Sequence, residues 1–116
     1  EVGGYCVKNG YPIFPGCPTT SDIEAAMSFG LKVVKFFPAE AMGGLKVIKA
    51  VAAPYGQMKF MPTGGVNADN VGDFISAPFI HAVGGSWVCP KADIAAGNWG
   101  KITQLCLDAR KAAKGE

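Results

Sequence analysis

Lys35 stands in the run Val33-Val34-Lys35-Phe36-Phe37-Pro38-Ala39-Glu40. A strand alternates its faces, so Val33, Lys35 and Phe37 share one side while Val34 and Phe36 share the other. Lys35 therefore projects among apolar neighbours into whatever the strand end faces. Burying an ammonium disfavours its charged form. A neutral amine is what attack on a ketone requires, and the resulting Schiff base is an electron sink. A structural reading stands beside this one: the lysine stem covers apolar surface with its head in water, or the head pairs with a carboxylate such as Glu40. Two glycine loops are the other candidates, Pro62-Thr63-Gly64-Gly65-Val66-Asn67 and Gly84-Gly85-Ser86-Trp87. Paired glycines let backbone N–H groups approach an anion closely, and a following helix adds a favourable dipole. Each pair could equally be a plain turn.

These residues need elements to hold them. Apolar runs recur at Tyr11 to Phe14, Lys32 to Phe37, Met58 to Met61 and Phe79 to Val83, each stopped by proline or glycine. Their starts lie roughly 20 to 26 residues apart, the length of a strand, a helix and two loops. Runs this apolar predict strands buried on both faces of a parallel sheet. Between them, Ser21 and Glu24 predict a capping box for a helix carrying Ile23, Ala26 and Met27. Leu45, Ile48, Val51 and Ala52 share one helix face, ended by Pro54. Asn67 is the expected N-cap of a helix with Val71, Phe74 and Ile75. Ile102, Leu105, Cys106, Ala109 and Ala112 form an amphipathic stripe ending at Gly115. The class is α/β, as an open doubly wound sheet or as part of a (β/α)8 barrel. A full barrel needs roughly 200 residues or more, so this chain can supply about half of one. Phosphate sites of barrels commonly form in the loops after the last two strands, which here are the two glycine loops.

Composition removes several classes. The chain has 116 residues and is 49% hydrophobic and 17% charged, enough for a core in one domain spanning 1–116. A net charge of +2 argues neither for nucleic acid nor for an anionic membrane surface. Arg110 is the only arginine, so several bidentate clamps are excluded. Cys6, Cys17, Cys89 and Cys106 form no C-x-x-C pair and His81 is the only histidine, so no metal site is expected. His81, in an apolar run, is expected to be packed and hydrogen-bonded. The cysteines read as reduced, which with no signal peptide and no spanning run predicts a cytoplasmic protein. No G-x-G-x-x-G follows the first strand, and no cofactor is expected.

The runs K-F-F-P-A-E, P-T-G-G-V and G-G-S-W, with Y-P-I-F-P-G-C-P-T-T-S-D-I upstream, resemble the C-terminal half of the 2-keto-3-deoxy-6-phosphogluconate (KDPG) and 4-hydroxy-2-oxoglutarate (KHG) aldolase family. The resemblance implies a metal-independent class I aldolase on a TIM barrel, this chain supplying the parallel strands five to eight as a half-barrel. Lys35 then matches the Schiff-base lysine and Thr63 the residue holding the pyruvate-derived end. Gly64, Gly65 and Ser86 match phosphate-binding positions, and Phe37 an aromatic residue lining the pocket. The implied ligands are keto acids: a phosphorylated sugar acid split into pyruvate and glyceraldehyde 3-phosphate, or KHG split into pyruvate and glyoxylate. The family's glutamate acid/base and its carboxylate-gripping arginine have no matching position here; Glu40, just beyond the strand of the lysine, is the candidate substitute base. A half-barrel leaves sheet edges and an inward face open, so a homo-oligomer or pairing with an N-terminal half is expected. Family members form trimers. The alternative is a non-catalytic half-barrel that binds phosphate or keto acid.

Overall fold

The two central apolar runs become strands in the computed structural model, which describes residues 1–115. These are β1, Val33–Phe36, and β2, Lys59–Pro62. They pair in parallel, from Val33 opposite Lys59 to Phe36 opposite Pro62. Single bridges continue the ladder on both sides: Gly16 to Lys35 on one edge, and Ile80 to Phe60 and Gly84 to Thr63 on the other. Four parallel segments therefore lie side by side in sequence order, and the protein is α/β with parallel strands.

Both outer segments differ from expectation in detail. The first pairs at Pro15 to Cys17 instead of Tyr11 to Phe14. The Lys35 N–H donates to the Pro15 carbonyl and the Cys17 N–H to the Lys35 carbonyl, each at 2.8 Å. Proline still offers the acceptor a parallel ladder needs, and the next donor is Cys17. In the last segment, Phe60 and Thr63 enclose two residues while their partners Ile80 and Gly84 enclose three. The extra residue is a bulge. It lets Ile80 and Val83 both pack toward the core although they are three apart.

The helices cover one face of this sheet. α1 (Val2–Lys8) buries no residue, and its Gly3 and Gly4 lie against the Phe29 ring. α2 (Thr20–Ser28) is capped by Thr19 and Asp22, not Ser21 and Glu24. Thr19 Oγ1 accepts from the Asp22 N–H at 3.3 Å, and the Thr19 N–H donates to Asp22 Oδ2 at 3.2 Å. The box thus sits two residues earlier, on the extended residue after Pro18. Glu24 is released to accept from Tyr55 Oη at 3.0 Å. α3 (Gly44–Ala52) buries Ile48 and Ala52, with Leu45 and Val51 packed beside them, as the spacing predicts. α4 (Val71–Ser76) begins later than expected. Asn67 Oδ1 accepts from the Asp69 N–H at 2.9 Å, closing a local turn instead of capping the helix. α5 (Lys91–Ala95) leads into α6 (Trp99–Lys114), which ends at Gly115 in the left-handed region, φ 72°. α6 packs on α4, where bare Gly72 lies close to the Ala112 carbonyl. None of the α6 stripe is fully buried.

The core is the face of the sheet under these helices. Val34 and Phe36 of β1 and Phe60 of β2 meet Ile23, Ile48, Met58, Val71, Phe74 and Ile80. Cys17 joins them; burial first, and the Asp22 carboxylate second, push its thiol above the usual range. Across the sheet, Val33, Lys35, Met61 and Thr63 are only half-buried, and His81 is exposed instead of packed. No helix among the described residues is long and apolar enough to cross a membrane.

A second anchor ties α5 to α6. Asp93, 5% exposed, accepts from Asn98 Nδ2 at 3.1 Å and from Lys101 Nζ at 3.0 Å. These two hydrogen bonds, the Asn98 one foremost, hold its carboxyl below the usual carboxylate range.

Two outcomes follow. Phe60→Ala removes a ring with no exposed surface from the centre of the core and should cost about 3–5 kcal/mol in urea denaturation. Asp93→Asn should lower the melting temperature at pH 7. Because the folded carboxyl is depressed, its contribution is full above about pH 4 and is lost as pH falls through the folded value. The gap between variant and parent, followed by circular dichroism, should therefore close on acidification.

Candidate active site

Alternation along β1 builds the site. Val34 and Phe36 are drawn into the core, which sends Lys35 to the opposite face. The Lys35 backbone is fixed on both sides, bonded to the Pro15–Cys17 segment and in register with Met61. Its ammonium lies over the Phe37 ring, 5.3 Å from the centroid. No carboxylate among the described residues is within ion-pair distance of it. Glu40, considered from sequence as its partner, turns away and lies against Gly44 and Gly65.

Phe37, 53% exposed, is the link from the lysine to a cleft of about 350 Å³. The cleft is lined by Phe37, Thr63, Gly64, Gly65, Val66, Gly85 and Ser86. Five of the six residues singled out from sequence are thus brought together around one space. The sixth, Lys35, is not on the lining and reaches the rim through Phe37. Val66 and Gly85 were not singled out. Gly85 had a signal in its glycine pair; Val66 had none beyond following Gly65.

The loops after β1 and β2 interlock. The Ala39 N–H donates to the Thr63 carbonyl at 2.9 Å and the Glu40 N–H to the Gly64 carbonyl at 3.1 Å. This crossing is why two glycines are needed. Gly64 has φ +92°, and a side chain there would start 3.0 Å from the Phe37 ring. Gly65 has φ +82°, and its added carbon would meet Glu40 Cβ at 2.4 Å. On the other side of the cleft, bare Gly84 lies against Thr63 Oγ1. The carbonyls of Thr63 and Gly64 are consumed by the crossing. The N–H groups of Gly64, Gly65, Gly85 and Ser86 donate to no acceptor among the described residues. Unspent amides, a threonine and a serine hydroxyl around one cleft suit an anion or a polar oxygen-rich ligand. The described residues contain no group of three or more His, Cys, Asp or Glu side chains able to hold a metal ion.

Gly64→Ala should therefore destabilise the fold by about 1–3 kcal/mol through its left-handed backbone, read as a lower urea midpoint, and should displace the Phe37 ring.

A family model described as KDPG and KHG aldolase matches residues 1–105. The chain is 43% identical over 105 residues to a 2-dehydro-3-deoxy-phosphogluconate aldolase of Treponema pallidum, covering 90% of this chain and 50% of that protein. Among solved structures it is similar to the Legionella pneumophila KDPG aldolase with pyruvate captured as a covalent carbinolamine. That match has TM-score 0.81 and 38% identity, over 85% of this chain and 48% of that one. It is also similar to the Zymomonas mobilis aldolase with 3-phosphoglycerate, with TM-score 0.85 and 36% identity, over 94% and 51%. The chain spans about half the length of the relatives it matches.

Proposed function

The chain belongs to the KDPG and KHG aldolase family, and from that membership we propose that it carries the Schiff-base half of a class I aldolase. In this reading the four parallel segments are strands five to eight of a (β/α)8 barrel, a half-barrel whose open face takes the missing half or a second copy. Residues 1–116 act as one domain. The four cysteines are free, which supports a reducing compartment such as the cytoplasm.

The observation that carries the reading is the placement of Lys35. It stands on the open face, unpaired by any carboxylate among the described residues, with its Nζ over a ring that also walls the cleft. Lys35 Nζ attacks the C2 carbonyl of the keto acid, and the carbinolamine loses water to give an iminium. A base takes the proton of the 4-hydroxyl. The bond between C3 and C4 breaks, its electron pair moves into the iminium to form an enamine, and the aldehyde leaves. C3 then takes a proton, and water releases pyruvate and restores the amine. Thr63 holds the pyruvate-derived end, and Phe37 packs beside it. The Gly64 and Gly65 amides and the Ser86 hydroxyl hold the phosphate of the sugar acid. That remote grip orients the reacting end.

A second reading has its own observation. No carboxylate or histidine among the described residues lines the cleft, so these residues offer no base there and could bind keto acid or phosphate without turnover. Pyruvate with borohydride, followed by intact mass and peptide mapping, tests the lysine. A single reduced adduct on Lys35, absent in Lys35→Ala, is the expected result; no adduct in folded protein overturns the nucleophile. Cleavage of KDPG, followed through pyruvate release and abolished by Lys35→Ala, separates the aldolase from the binding half-barrel.

A further inference from the structure

Glu40 is placed for work other than pairing with Lys35 or taking a proton. Its backbone N–H holds the Gly64 carbonyl at 3.1 Å. Its Cβ and Cγ fill the space over Gly65, 2.4 and 2.5 Å from where a side chain there would begin. Its carboxylate reaches the start of α3, with Oε1 2.8 Å from the corresponding point on Gly44. That helix end has no side-chain cap and no acidic residue in its first turn. A carboxylate is stabilised at such an end. The side chain thus lies with its tip beside the start of α3 and its stem against the loop that carries two unspent amides.

We propose that Glu40 is a positioning residue, which braces the Gly64–Gly65 amides in the geometry that receives an anion. The inference rests on the reading of those amides as the phosphate grip. It assigns Glu40 no contact with the substrate. Two features distinguish its role from general packing. The stem does the bracing, so an amide of the same shape should serve nearly as well as the carboxylate. The brace acts on the Gly64–Gly65 loop, so the lysine end of the site should feel its loss least.

The test uses inorganic phosphate as probe, with binding followed by amide chemical shifts, and pyruvate–borohydride trapping as the second readout. Glu40→Ala should weaken phosphate binding about fivefold, the scale of one misplaced hydrogen-bond donor, while the trapping rate changes much less. Glu40→Gln should stay within about twofold of the parent for phosphate. Unchanged phosphate affinity in Glu40→Ala overturns the proposal, as does an equal loss of phosphate binding and trapping. If Glu40→Gln is as weak as Glu40→Ala, the charge is at work instead of the stem, and the brace is wrong. No phosphate binding by the parent protein overturns both the grip and its brace, whereas a missing pyruvate adduct alone removes only the lysine chemistry.

Discussion

The parallel pairing of β1 with β2 decides where every other part of the site can be. Once Phe36 and Phe60 point into the helices, the two-residue period leaves Lys35 no choice of face. The same register ends both strands at one level, so their loops emerge side by side. Only there can Ala39 and Glu40 reach the carbonyls of Thr63 and Gly64. The cleft is therefore a by-product of strand ends that finish together, which is also why ligands of α/β proteins gather at such ends.

The core and the site pull differently on the same strands. The helix side is filled by large side chains with no exposed surface. The opposite side holds a lysine, a threonine and a methionine that stay half-open. A strand with one buried face and, on the other, a lysine that pairs with no carboxylate among the described residues is poor sheet-building material unless the second face has work to do. The loops show the same economy. Gly64 and Gly65 give up side chains and adopt left-handed backbone, which favours the unfolded chain, in return for close approach to Phe37 and Glu40.

Much of this was legible in the sequence because it depends on period and on punctuation. The two central apolar runs, the stripe of α3 and the end of α6 at Gly115 follow from spacing alone. The two glycine loops follow from their places at successive strand ends, while the inclusion of Phe37, Thr63 and Ser86 with them around one cleft is what the family resemblance implies. Local chemistry with near-equal alternatives was not legible. Thr19 and Asp22 satisfy a capping box as well as Ser21 and Glu24, and only the fold decides between them. Asn67 closes a turn or caps a helix with the same side-chain oxygen. The exposure of His81 follows from which face its segment shows, and the bulge between Ile80 and Gly84 hides that from a simple alternation. The turning of Glu40 away from Lys35 depends on a loop crossing between residues far apart in the chain.

The bulge has a consequence for how this chain can change over evolutionary time. With one extra residue between Ile80 and Gly84, the segment reads in threes on its way to the core and then rejoins the ladder in step with Thr63. Core packing and the approach to the glycine loop are thereby uncoupled along a few residues. A substitution at the exposed position 81 can alter the open surface of the sheet without moving Ile80 or Val83 from the helices. The last segment is thus the part of the sheet where the open face can vary while the frame stays as it is.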